Sequence, residues 1–355
     1  MRSGHRQLAA AACAFLLASA AAPTGASAAP AAPARPLAGL RVLLTNDDSM
    51  QAAKPGNADG LGLYELRRAL CAAGADVVVI APWQVQSGRG TAVTNGGVVT
   101  LAHRTQLPAG YQSDCSGTPS GSPVHGLCLG AAPCGPASAS ATPADTVKFA
   151  LRAGLADLAG WTDGPDLVAT GINSGPNVSA QVNDSGTVGA ALAAVELGVP
   201  AVAFSTAGDA DNLTFPLANY RATADYGARL IAALRQRSLL SSHFALKVDH
   251  PDVTAGRPVG APRLTTVGEG RVVWHAYQAR DSDSASYDIT YGRCSDLPGD
   301  PCTETRPDAD STALLRDNRV SLTPVTPDRT LSAHLTATQD LLRLRHFVDR
   351  QAPRP

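Results

Sequence analysis

Short aliphatic runs, each broken off by a polar turn, recur along the first part of the chain. VLLT at 42–45, DVVVIAP at 76–82, DLVATG at 166–171 and AVAFST at 201–206 are too brief for buried helices. They also lack the strict alternation of a half-exposed strand, so they predict strands buried on both faces. Between them, segments at 61–73, 144–158, 187–197 and 217–235 space their apolar positions three and four apart and predict helices. Alternating strands and helices predict an α/β fold, a mostly parallel sheet with helices on both faces. In such sheets ligands bind beyond the carboxyl ends of the strands.

Two regions depart from this alternation. Residues 112–143 are dense in Ser, Gly, Pro and Cys with little periodicity, which predicts a surface insertion tied by a disulfide and bordering the binding crevice. From 245 onward the pattern turns to short β-like runs, RLTTV, RVVWHAY, YDITY and RVSLTPV, followed by an amphipathic helix at 333–348. The resulting organisation is a core at 37–240 and a β-rich extension with a terminal helix at 241–355.

The first residues read as something other than fold. Arg2, His5 and Arg6 precede an apolar run at 8–22, and Ala26-Ser27-Ala28 offers a small-residue cleavage site, so 1–28 is expected to be a secretory signal. An Ala/Pro-rich lead-in at 29–36 follows. Cys13 has no leucine three residues before it, which argues against a lipid anchor, and no later apolar run is long enough to cross a bilayer. Export would carry the mature chain out of the cytoplasm with six cysteines, an even number that fits disulfides. Cys294 and Cys302 flank one loop and form the easiest local pair; Cys115, Cys128 and Cys134 share a segment that can supply a second. Cys71, in a predicted helix, reads as a small buried hydrophobe. No Cys or His spacing matches a zinc site. With 17% charged residues and a net charge of −1 the chain offers no basic face for a nucleic-acid polymer.

Chemistry concentrates where the strands end. The first run closes on Asn46, Asp47 and Asp48, the second leads to Ser87, and the third leads to Asn173 and Ser174. Two adjacent carboxylates repel and are costly to bury unpaired. Asp47, Asp48, Ser87 and Asn173 form an all-oxygen set of the kind that holds Mg²⁺ or Mn²⁺, with Ca²⁺ as an alternative. Consecutive strand residues face opposite ways, so both aspartates can serve one ion only if the chain turns there. A helix cap or Asx turn is the competing reading of the pair.

A second cluster lies in NDSGTVGAALAAVELG, where Ser185, Gly186 and Thr187 open a helix whose free N–H groups could hold a phosphate. A simple capped helix is its alternative. Asn46 and Ser174, beside the cation set, join the expected phosphate group. A cation site facing an anion site describes metal-assisted phosphoryl transfer to water, with Asp47 or Asp48 acting on the water and Asn173 on phosphate oxygens. Other motifs fail: GLG at 60–62 is an incomplete dinucleotide fingerprint, GINSGP is not a nucleophile elbow, and no D-x-D supports an aspartyl-phosphate. His275, inside VVWHAY, reads as a core or interface residue.

LLTNDD, VVVIAPWQVQSGRG, TPADTVKFAL, PDLVATGINSGPN and SGTVGAALAAVELGVPAVAFS stand in the order and approximate spacing of the survival protein SurE family, and DSTALLRDNRVSLTPVTPDRT is similar to its C-terminal segment. The resemblance implies a Rossmann-like core, a β-rich extension used for homodimers or homotetramers, and one divalent cation per subunit at the positions of Asp47, Asp48, Ser87 and Asn173. It also implies phosphatase action on nucleoside 5′- or 3′-monophosphates, with the segment at 185–187 on the phosphate side. Ser49 stands where the family usually has glycine, and the export signal and cysteine-bearing insertion resemble secreted acid phosphatases. Alternatives are therefore a broad-specificity secreted acid phosphatase and a non-catalytic nucleotide- or phosphate-binding protein.

Overall fold

In the computed structural model, β1 (Arg41–Thr45) runs through the middle of a nine-stranded sheet, because its residues from Val42 onward are fully buried. The structure describes residues 35–52, 54, 57–209, 214–281, 285–293, 304–329 and 335–354; the expected signal at 1–28, Cys294 and Cys302 lie outside them. Alternate residues of β1 serve two cores. Val42 and Leu44 pack with Leu63, Leu66 and Leu70 of α1 (Leu61–Ala72) and Tyr226 and Leu230 of α5 (Leu217–Gln236). Leu43 faces the opposite side, with Val147 of α2 (Pro143–Phe149) and Val188 and Ala191 of α4 (Gly186–Glu196). A π-helical turn and the short α3 (Leu155–Ala159) continue α2. Helices thus cover both faces, and burial on both sides explains why the strands read as unbroken aliphatic runs.

The chain moves outward from β1 to β2 (Asp76–Pro82), then returns to pair β5 (Leu167–Ser174) on the other side of β1. That reversal makes the carboxyl ends of β1 and β5 a topological switch point, where open α/β sheets form their crevice. β6 (Ala201–Thr206) and β7 (Ala245–His250) extend the parallel set beyond β5.

The expectation for 112–143 needs correction. Val124–Leu129 forms β4, a buried strand parallel to β2, and β3 (Val99–His103) pairs antiparallel at its outer edge. The run VHGLCL is hidden in the sequence by its histidine, its glycine and its Pro/Ser/Gly flanks. Irregular chain on either side of β4 does lie at the surface. Cys71 is likewise not a lone hydrophobe: it is bonded to Cys115, and Cys128 to Cys134.

The second half does not stand apart from the first. β11 (Arg319–Val325) pairs antiparallel with β7, and β8 (Gly260–Leu264) pairs parallel with β11, so both complete the same sheet. β9 (Val273–Ala279) and β10 (Tyr287–Arg293) form a separate antiparallel ribbon. One face of it carries exposed Tyr277, Tyr287, Ile289 and Tyr291; His275 is exposed there beside Tyr291, which removes it from the core. The terminal helix α6 (Leu335–Arg350) buries Leu344, Phe347 and Val348 in the core and sets Phe347 under Arg237 at the end of α5.

Candidate active site

At the end of β1 the backbone turns sharply: the Ser49 N–H donates to the Asn46 carbonyl at 3.1 Å, and Ser49 adopts the left-handed region at φ +69°. That turn releases Asp47 and Asp48 from strand alternation, so both carboxylates can serve one crevice. A serine can occupy this conformation at some cost, whereas glycine occupies it freely. Asn46 is fully buried, its Nδ2 donating to the Ile172 carbonyl at 3.2 Å, and ties the ends of β1 and β5 together.

Asp48 is buried yet engaged on both oxygens. The Ser174 N–H and Oγ–H donate to Oδ2 at 2.7 and 2.8 Å, and Ser87 Oγ donates to Oδ1 at 3.4 Å. Ser174 Oγ lies 2.7 Å from the Tyr220 hydroxyl, whose single proton is shared between Ser174 Oγ and the Asn57 carbonyl, also 2.7 Å away. Asp47 faces the other way within the same crevice: the Thr187 hydroxyl donates to its Oδ1, and the Thr187 backbone N–H adds a hydrogen bond. The Asp47 carbonyl accepts the Gln86 N–H at 2.7 Å, drawing the loop of Ser87 over the site.

Burial raises both carboxyl groups. Asp47 is pushed up to about 6, the Thr187 hydrogen bonds opposing the rise, and Asp48 to about 7, where the neighbouring Asp47 charge adds to desolvation. All hydrogen-bond partners described for the two side chains are neutral groups, so among the described residues no cationic side chain is bonded to the pair. No grouping of three or more His, Cys, Asp and Glu side chains able to hold an ion occurs among the described residues. The donors that do converge are carboxylate and hydroxyl oxygens, which fits a hard cation rather than zinc.

Asn173 is the penultimate residue of β5, at the far side of a bulge between Thr170 and Asn173 that re-aims the strand end. Gly171 permits the bulge: its φ is +112°, and a Cβ there would stand 2.2 Å from the Phe204 carbonyl. The Asn173 Nδ2 donates to the Gly175 carbonyl at 2.7 Å, which leaves Oδ1 as its acceptor atom. Ser185 caps α4 by accepting the Val188 N–H at 3.1 Å. The start of α4 thus holds the Asp47 carboxyl group through Thr187, where the sequence suggests phosphate alone. Tyr220 and the buried Asp59, whose charge also acts on Asp48, were not apparent in the sequence. Tyr220 sits in an amphipathic helix and Asp59 in an irregular loop, so neither breaks a pattern. A cavity of about 660 Å³ lies beside the loop that follows β5, lined among others by Pro176, Ser179, Ala207, Pro251 and Asp252 and by none of Asp47, Asp48, Ser87, Asn173 or Ser174.

The family model described as Survival protein SurE matches residues 42–273. A 5′-nucleotidase SurE of Desulforudis audaxviator is 31% identical over 292 residues, covering 82% of this chain and 93% of that protein. A protein of the same description from Synechococcus elongatus is 30% identical over 308 residues, covering 86% of this chain and all of its own length. The crystal structure of a SurE protein from Aquifex aeolicus aligns over 86% of this chain and 99% of its own, with a TM-score of 0.53 at 23% identity, a likeness of fold.

Proposed function

This chain belongs to the survival protein SurE family, and from that membership we propose that it is a divalent-metal-dependent phosphomonoesterase acting on nucleoside monophosphates. The observation that carries the reading is the pair Asp47 and Asp48, buried at the switch point with only neutral hydrogen-bond partners among the described residues. A structural cap or turn does not need two desolvated carboxylates; a cation site does. Asp47, Asp48, Ser87 and Asn173 would hold the ion, which when bound supplies Lewis acidity toward phosphoryl oxygens and water.

The chain's own groups do the rest. Ser174 and Ser87 fix Asp48 through three hydrogen bonds, so its oxygens stay aimed while a substrate enters. Thr187 fixes Asp47. Asp47 or Asp48 is the proton acceptor for the attacking water, both carboxyl groups standing at the strand end with the expected cation set. Asn46, Asn173, Ser174 and the start of α4 at Ser185, Gly186 and Thr187 form the polar wall for the phosphoryl oxygens.

The same reading places the mature protein outside the cytoplasm, supported by the residues expected as a signal at 1–28 and by the two disulfides. It also assembles the chain as a homodimer or homotetramer, supported by the exposed tyrosine-rich face of the β9–β10 ribbon. Release of phosphate from AMP and from p-nitrophenyl phosphate, with chelator and with added Mg²⁺ or Mn²⁺, tests the activity. Metal-dependent hydrolysis of AMP supports the nucleotidase. Equal action on unrelated monoesters makes it a broad acid phosphatase, and no release from any ester makes it a binding protein.

A further inference from the structure

The loop between the two halves of the site, residues 174–185, joins the Asp48 partner Ser174 to the helix start at Ser185. It is gripped in its middle by charges the proposed chemistry does not use. Lys247 on β7 is fully buried, as are Asp249 two residues on and Asp310 before β11. The Lys247 ammonium pairs with Asp249 and with Asp310, the latter at 3.1 Å.

Each carboxylate then reaches the loop. Asp249 Oδ1 accepts the Asn177 N–H at 2.8 Å, while Asn177 Nδ2 donates to Ser205 Oγ at 2.8 Å. Asp310 Oδ1 accepts the N–H groups of Ser179 and Gly268, both at 3.0 Å, and of Ser311 at 2.8 Å. Ser179 Oγ donates to Ser311 Oγ at 2.8 Å. Ser179 is held at φ +53°, a conformation a serine seldom adopts unaided.

We propose that Lys247, Asp249 and Asp310 are positioning residues that fix the loop at 177 and 179 and thereby set the placement of Ser174 and Asn173 relative to the start of α4. Buried ion pairs are weak contributors to stability compared with apolar packing, because desolvation opposes their attraction. What they do well is specify one geometry, since each lost hydrogen bond leaves a buried charge or N–H unmet. Here the specified segment is the one flanked by both halves of the site. The catalytic consequence rests on the nucleotidase reading; the positioning itself does not.

The test compares wild type, Asp310→Ala and Asp310→Asn by amide hydrogen exchange and by AMP hydrolysis with Mn²⁺. Asp310→Ala should speed exchange within 174–185 at least tenfold with β1 and β2 unchanged, and lower kcat at least tenfold. Asp310→Asn keeps an oxygen acceptor and should recover most of both. Exchange and kinetics at wild-type values in a folded Asp310→Ala overturn the proposal. Uniformly faster exchange throughout the core also overturns it, as a general structural role. Should Asp310→Ala not fold, Asp249→Asn, which keeps an oxygen acceptor for the Asn177 N–H but removes the charge paired with Lys247, takes its place: faster exchange in 174–185 with β1 and β2 unchanged supports positioning, and wild-type exchange and kinetics overturn it. An inactive wild type defeats the nucleotidase reading instead, and the exchange result still decides the proposal.

Discussion

Asp48 carries the largest consequence of any single side chain, because its environment works against the charge it must bear. Its carboxyl is raised to about 7 and that of Asp47 to about 6, both above the ordinary carboxylate range. The folded protein without metal therefore takes up protons between about pH 4 and pH 7 that the unfolded chain does not hold. Stability from this source is fully present below the unfolded pKa and is lost as pH rises through 6 and 7. In chelator, the Tm of wild type should fall between pH 5 and pH 8, and that of Asp48→Asn should fall less. Asp249, also raised to about 6, contributes equally to both proteins and cancels in the comparison. At pH 8 the variant should equal or exceed metal-free wild type by ~1 kcal/mol, while its hydrolysis of AMP drops at least a hundredfold. A variant much less stable than wild type in chelator would make Asp48 a structural turn residue. The two aspartates were legible in the sequence because adjacent carboxylates at the end of an aliphatic run demand an explanation. Thr187 was legible as a polar group at a helix start, but its partner was not: spacing cannot say whether a hydroxyl faces a ligand or Asp47.

Among the elements, α4 shows how tightly the site is assembled. Its second glycine, Gly189, lies against the loop that carries Ser87: a Cβ there would fall 1.9 Å from the Gly90 carbonyl. Gly189→Ala must push that loop away, with Ser87 three residues before Gly90. The expected outcome is a folded protein with at least tenfold weaker apparent Mn²⁺ affinity in the AMP assay and a loss of about 1–3 kcal/mol in urea unfolding. Wild-type metal dependence would show that the loop adapts. The strands β1, β2, β5 and β6 could be read from sequence because burial on both faces leaves them aliphatic. β3 and β4 could not, since an edge strand and a strand bearing His125 and Gly126 look like loop when their flanks are rich in Pro, Ser and Gly. β8 and β11 read as a separate extension because sequence order does not tell which sheet a strand joins.

At the scale of the whole molecule, the two disulfides among the described residues brace the region around β4, where the sequence looks least structured. Cys71–Cys115 ties α1 to chain 44 residues away, ahead of β4; Cys128–Cys134 closes a separation of only 6 within and after it. Loop entropy makes the longer closure the greater stabiliser, so Cys71→Ala/Cys115→Ala should lose about 2–4 kcal/mol in urea unfolding and Cys128→Ala/Cys134→Ala less. A larger loss from the shorter loop would show that local packing, not closure, dominates.

The carboxylate lodged at the start of α4 has a kinetic meaning as well. Thr187 gives its hydroxyl and its N–H to Asp47, so an incoming phosphate meets a negative charge at the helix end that would otherwise attract it. Electrostatics then favour an order of addition: while Asp47 and Asp48 keep their charge a phosphate would be repelled, and it would bind only once a cation held by them had offset that charge. Titration calorimetry of AMP into chelated protein should give no binding heat. Saturating Mn²⁺ with a non-hydrolysable phosphonate analogue of AMP in the wild type should restore it, and analogue binding of equal strength in chelator would show that the two ligands enter at random.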